Sequence, residues 1–486
     1  MGHILAGLEP ERVFHYFEEI CAIPHSSGHT KQLSDYCKAL AQQKGYSFVQ
    51  DQWNNLIIKK PASVGYEQVP AVILQGHLDM VPEKESYSAH DFTKDPLELF
   101  VEDGWIGAKD TTLGGDDGVA VAMMLAILED DSLEHPALEC MFTTDEETGL
   151  DGAIYIDMSQ CEGKYMINLD SEEEGYLLTG CAGGTGSEIL LPVKREKVFG
   201  RFCKVTVCGL NGGHSGADIH KEMANANILM GRLLYQLDKE MSFSLCTMVG
   251  GNKGNAITRE CTATVVVSEA DLPKLQLVVD GEVAQWKNEY QTQDPNVKVT
   301  VSVEDTQTVM AVEPEQKAKI ISLMMTMPYG VQHMSVDVEG FVETSVNPGI
   351  LELNEESFAV RFSIRSSLVS RRELMVDKLA NLARLAGAKY SRIGSYPGWQ
   401  FRKDSKLREL VCDVYQQLTG KSMVVCAIHA GLECGILLEK KPELDIVSLG
   451  PDMKQVHTPS ERLNIASTAR TYALLKAVLA AMKNGF

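Results

Sequence analysis

No stretch of this chain is apolar for long enough to cross a bilayer. The longest unbroken run, Val119–Leu128, is about half of the ~20 residues a spanning helix needs. The opening MGHILAGLEPERVFHYF has no basic start, apolar block and small-residue cleavage site, so no secretory leader is read. Gly2 is not followed by Ser or Thr at position 6, so myristoylation is not expected either. Basic residues are scarce, 45 Lys and Arg against 67 Asp and Glu, and the net charge of −22 argues against nucleic acid and anionic membranes as partners. None of the 12 cysteines forms a CxxC pair. In a chain without a leader they read as reduced, mostly buried thiols, and the expected location is cytoplasmic. GxSxG is absent, which removes one common serine-hydrolase reading, and no Arg or Lys cluster is present to hold a phosphate. Low-complexity segments are also missing.

What remains is a globular composition, 44% hydrophobic and 23% charged over 486 residues, enough for two or three domains. The first third alternates amphipathic helices, over 10–22 and 31–44, with continuous apolar strands at 71–74, 138–143 and 165–169. Continuous apolar strands are expected where helices cover both faces of a sheet. Each strand runs into a polar cluster: GHLD, then DEE, then DSEEE. In open α/β sheets ligands collect beyond the carboxyl ends of strands, so one shared site is expected. From about Ser187 the texture changes to two strand–helix–strand sets, which makes a duplicated α+β region plausible without a residue-level repeat. GSYPGW (394–399) reads as a return linker. A helix over 405–418, a strand over 445–449 and a final helix over 465–482, capped by Asn464, follow. The expected fold is therefore α/β: a mixed, mostly parallel sheet flanked by helices, built from 1–186 and 397–486, with an α+β lid or dimerisation domain, 187–396, inserted.

The clusters carry chemistry. In extended backbone the side chains of His77 and Asp79 fall on one side, so His77 suits a metal ion and Asp79 its other ring nitrogen. Asp116 and Asp117, in LGGDDG ahead of a helix, suit either capping of that helix or, for Asp116, bridging of two cations. In TTDEETG, adjacent Glu146 and Glu147 point in different directions. One could ligate metal while the other takes a proton from an activated water; a solvated acidic turn would look the same. Asp170 and His457 each follow a strand, and either alone would pass as structural. Together, the order His-x-Asp, Asp, Glu-Glu, Asp, His outweighs the separate structural readings.

The wording of these segments (QGHLDMVP, TTLGGDDG, TTDEETGLDGA, INLDSEEEG and VHTPSER) resembles the co-catalytic zinc peptidase family that includes aminoacylase, carboxypeptidase G and carnosinase. Within it the aminoacyl-histidine (Xaa-His) dipeptidase branch is the most similar, from Leu8 through Lys476. The resemblance implies two divalent ions, zinc first with cobalt or manganese possible. His77 and Asp170 would hold one ion, Glu147 and His457 the other, and Asp116 would bridge. Asp79 would orient His77, and Glu146 would be general base. His214, in NGGHSG, would act in the opposite subunit of a homodimer as an oxyanion stabiliser on a lid. Arg365, in SIRS, would clamp a peptide carboxylate, with an ordinary ion pair as the alternative. Asn255 is a weaker candidate for the same pocket. The glycine-rich stretch His429–Gly435 would shape the substrate wall, and His220 and His333 read as structural. Two positions depart from the pattern: many relatives have Lys where Gly118 stands, and the dipeptidase branch often has Asn where Asp117 stands.

The expected activity is hydrolysis of unblocked dipeptides, Xaa-His among them, with no serine or cysteine nucleophile. An N-acyl amino-acid deacylase or broader exopeptidase could use the same site. A non-catalytic dimeric binding protein is disfavoured because every proposed ligand and Glu146 are present.

Overall fold

The structure, a computed structural model, describes residues 3–484. The chain divides into two compact units. The first holds residues up to Cys181, Trp399–Ala427 and the chain from Leu432 onward; the second holds Ala182–Gly398 and Ile428–Gly431. These boundaries fall earlier than 186 and later than 396. The strand Gly183–Pro192 already pairs with Ser357–Ser366 and Lys389–Tyr396, so its first residues go with the second sheet.

An eight-stranded sheet organises the first unit. Val72–His77, Leu138–Thr143, Tyr165–Asn168 and Asp445–Ser448 run parallel at its centre, and none has a polar face turned to water. The apolar run Val119–Leu128 forms a helix buried throughout, within the element Gly115–Glu129. Apolar residues on every side of that helix leave it only an interior position. Amphipathic helices Glu11–Cys21 and Lys31–Lys44 contribute Phe14, Phe17, Leu33 and Cys37 to the same core. Register sets His77 directly opposite Thr143, and Leu78 N–H donates to the Thr143 carbonyl at 2.8 Å. The carboxyl ends of the parallel strands are thereby drawn level, where α/β ligand sites form.

In the second unit a nine-stranded sheet packs against helices Ala226–Glu240, Leu272–Glu289, Pro314–Thr326 and Val369–Ala386. The two strand–helix–strand sets do not make two sheets: Ser244–Gly250 pairs with Val342–Leu353 and fuses them into one. The GSYPGW segment is only partly a linker, since Gly394–Tyr396 complete the strand Lys389–Tyr396. No helix among the described residues is long and apolar enough to cross a membrane.

Candidate metal centre

Beyond the carboxyl ends of the central strands, the first unit gathers four carboxylates and two imidazoles into a small volume. His77 Nε2 lies 3.0 Å from Asp116 Oδ1 and 3.8 Å from Asp170 Oδ1. His457 Nε2 lies 3.0 Å from Asp116 Oδ2 and 2.9 Å from Glu147 Oε1. Two trios therefore form, His77–Asp116–Asp170 and Asp116–Glu147–His457, each offering ligand atoms within 4.8 Å of one another. Asp116 belongs to both and turns a different oxygen to each. A third grouping joins His77 with Glu146 and Glu147.

Electrostatics explain why this arrangement needs cations. Among the described residues, only the two imidazoles form ion pairs with Asp79, Asp116, Glu147 and Asp170; no lysine or arginine does. Buried carboxylates without countercharge are strongly unfavourable. Burial, with Asp117 and Asp116 alongside, drives the Asp170 carboxyl well above the usual range. Burial likewise lifts Glu146 to about 8, against the pull of His77 and reinforced by Glu433, Glu147 and Asp116. His457, half exposed, is raised to about 10 by its contacts with Asp116 and Glu147. For His77, burial opposes the charged ring, but Asp116, Asp79 and Asp170 prevail and raise it. Protons thus stand in for missing positive charge, and the mixed carboxylate–imidazole donor set fits a pair of divalent ions.

Asp79 is more connected than a partner for one imidazole. The His77 ring nitrogen Nδ1 sits 2.9 Å from the Asp79 main-chain carbonyl and 3.4 Å from its carboxylate. That carboxylate accepts from Ser27 Oγ at 2.8 Å and from the N–H groups of Glu146 and Glu147 at 3.0 and 3.3 Å. It fixes the start of the short helix Glu146–Gly149 as well as the ring. Asp117, buried, accepts from His77 N–H at 3.2 Å. Asp116 and Asp117 do not cap the helix that follows: the Asp116 oxygens face His77 and His457, and of the Asp117 oxygens one accepts from His77 N–H and the other has no partner.

Two buried acids escape sequence reasoning. Glu433 accepts from Gln75 Nε2 at 2.6 Å and Thr143 Oγ1 at 2.8 Å, and burial raises it to about 7. Glu461 accepts from main-chain amides of the Leu113–Asp116 loop. Both stand inside segments singled out in the sequence, His429–Gly435 and VHTPSER, but only three-dimensional proximity marks them.

The remaining candidates lie in the second unit. His214 pairs in a two-residue ladder with Ala256, and its Nδ1 accepts from Ala217 N–H at 3.0 Å. Burial and the nearby Arg365 lower its pKa, so the ring is neutral and carries its proton on Nε2. Gly216 lies between the two: a Cβ there would come 3.0 Å from His214 Cε1 and 3.2 Å from Arg365 Cζ. Arg365 is buried, donates to the Tyr396 hydroxyl at 2.9 Å, and has an unpartnered Nε. It forms no ion pair with a carboxylate among the described residues, which removes the ordinary surface ion pair as its explanation. His429, read only as part of a wall-forming stretch, bonds Ser345 Oγ at 2.7 Å and is held neutral, near 3, by burial and Arg365. Asn255 is exposed and contributes its carbonyl to Ser215 N–H at 2.8 Å. The His429–Gly435 stretch is divided, its first three residues in the second unit and the rest in the first. His333 has an ion-pair partner in Glu343, while His220 is exposed.

Residues 73–481 match peptidase family M20/M25/M40. The chain is 38% identical over 478 residues to the cytosol non-specific dipeptidase of Escherichia coli (strain K12), covering 98% of each. Its structure superimposes on the aminoacylhistidine dipeptidase of Vibrio alginolyticus with a TM-score of 0.94, at 35% identity and 98% coverage of both chains. The aminopeptidase PepT of Bacillus cereus shares the fold at 14% identity, with a TM-score of 0.57 over 98% of this chain and 99% of that one.

Proposed function

The chain belongs to peptidase family M20/M25/M40, and from that premise we propose that it is a dipeptidase acting on unblocked dipeptides, Xaa-His among them. The observation that carries the reading is the pair of His–carboxylate trios sharing Asp116. In the proposed assignment His77 and Asp170 hold one ion, Glu147 and His457 the other, and Asp116 both. Zinc suits these donors, and cobalt or manganese accept the same set. A bound pair supplies Lewis-acid polarisation of the peptide carbonyl and acidifies the attacking water.

The chain's own groups do the rest. Glu146 stands beside the trios without being tied to either imidazole, and we assign it as general base. It takes the water's proton and returns it to the leaving amine. Its raised pKa reflects burial first and the neighbouring carboxylates second, and positive charge placed among them would bring it back toward a working base. Asp79 holds Glu146, Glu147 and His77 in one frame. The neutral His214, with Nε2–H free to donate, is suited to a developing oxyanion. We assign that role to His214 of a second copy in a homodimer. Arg365, a buried cation without a carboxylate, suits the substrate's terminal carboxylate, which it could take bidentately. The cytosol is the proposed location, in keeping with twelve free cysteines and a cytosolic relative.

The test compares Xaa-His dipeptides, tripeptides and N-acetyl amino acids before chelation, after it, and after zinc is restored. Dipeptide hydrolysis that vanishes and returns supports the reading. Preference for N-acetyl amino acids would make the enzyme a deacylase, and preference for tripeptides a broader exopeptidase. Activity indifferent to chelation would end the proposal.

A further inference from the structure

We infer that Glu461 is a positioning residue for the bridging carboxylate, a clamp that fixes the Asp116 loop against the segment carrying His457. The inference rests on the two-ion reading above. Glu461 is almost wholly buried, at 2% exposure. Its Oε2 accepts from Leu113 N–H at 2.9 Å and Gly114 N–H at 3.3 Å. Its Oε1 accepts from Gly115 N–H at 2.8 Å and Asp116 N–H at 3.4 Å. Four consecutive amides thus converge on one carboxylate across some 345 residues of sequence. Successive amides turned to one side make an anion-binding concavity, here filled by the protein itself.

That concavity is built around the two glycines. Gly114 takes a left-handed φ of 66°, and a Cβ on Gly115 would press to 3.2 Å from Glu461 Oε1. With their amides directed at Glu461, the loop residues leave the Asp116 carboxylate free to face both imidazoles.

The other end of the clamp is equally fixed. Glu461 N–H donates to the Thr458 carbonyl at 3.0 Å, closing the turn just after His457. Arg462 Nη1 donates to the Glu461 carbonyl at 2.7 Å, and Leu463 pairs with Ile106. Glu461 therefore joins the two segments whose side chains, Asp116 and His457, meet at 3.0 Å. A neutral side chain could not replace it, because an amide has one acceptor oxygen where the loop presents four donors.

The experiment titrates zinc into the metal-free full-length protein and its Glu461→Gln variant by calorimetry. Hydrogen exchange over residues 113–116 is followed in parallel. The variant should bind one of its two ions about 10–100-fold more weakly, the range seen when a ligand's supporting partner is lost. Its 113–116 amides should exchange faster, kcat should fall more than KM changes, and Glu461→Asp should recover part of the affinity. A merely structural role would lower the melting temperature without separating the two affinities. If Glu461→Gln does not fold, wild-type exchange still decides: these four amides should rank among the slowest in the metal-free protein. Two ions bound with wild-type affinity by the folded variant would overturn the inference, as would amides exchanging as fast as open loops. A wild-type chain that takes up fewer than two ions would instead refute the underlying functional reading.

Discussion

Glu146→Gln tests the proposed proton-transfer role with little structural disturbance. The amide has the carboxylate's shape, and the bond that holds residue 146 in place runs from its main-chain N–H to Asp79 at 3.0 Å, which the substitution leaves intact. In the metal-free protein the exchange also removes an acid lifted to about 8 by burial and by Glu433, Glu147 and Asp116. Melting temperature at neutral pH should therefore hold or rise. A positioned general base contributes ~10²–10⁴ in rate, or about 3–5 kcal/mol at 1.36 kcal/mol per decade. The loss should fall on kcat. The assay is hydrolysis of alanyl-histidine under zinc saturation, with metal content measured on the same samples. Wild-type metal content with kcat reduced by that factor supports the assignment. Unchanged turnover refutes it, and lost metal would make Glu146 a ligand instead of a base.

Asp116→Asn should reduce bound zinc from two ions to at most one per chain, since an amide offers one ligand oxygen where the bridge needs two; elemental analysis after dialysis checks it. The metal-free protein should lose stability between pH 6 and 8, followed by calorimetry. His457, raised in the fold to about 10 from an ordinary ~6.5, stabilises fully below pH ~6.5 and loses that contribution as pH climbs toward 10. Glu146 acts in the same direction, because the folded state keeps a proton up to about 8 that the unfolded chain gives up above ~4.3. Zinc should flatten the profile, and a metal-free melting temperature that rises with pH would contradict the charge balance. His214→Ala should bind zinc normally yet lose ~10²–10³ in kcat. Co-expressing it with Glu146→Gln should restore activity through mixed dimers; a mixture as inactive as its parents would place His214 in its own subunit's site.

Much of the first unit is legible in the sequence because its signals are local. The apolar runs 71–74 and 138–143, which form buried strands, and the helix around Val119–Leu128 can lie only inside, and polar residues directly after those runs must gather at one sheet edge. The second unit is less legible. Lys298–Val312 carries valines at 299, 301 and 303 and then turns polar, and only its pairing with Arg195–Cys208 makes it a fifteen-residue edge strand. The supporting acids are not legible at all. Glu461 and Glu433 act through side-chain bonds to amides and a hydroxyl hundreds of residues away, which leave no periodic trace. Arg365 shows the opposite case: its type suits carboxylate binding, but only burial without an acidic partner separates it from a surface ion pair.

The central claim is that two cations share Asp116. Zinc-edge anomalous diffraction from crystals of the zinc-loaded protein tests it most directly. The expected map has two peaks ~3.5–4 Å apart, one contacted by His77 and Asp170, the other by Glu147 and His457, with an Asp116 oxygen on each. A single peak, or peaks that bypass Asp116, would contradict the account.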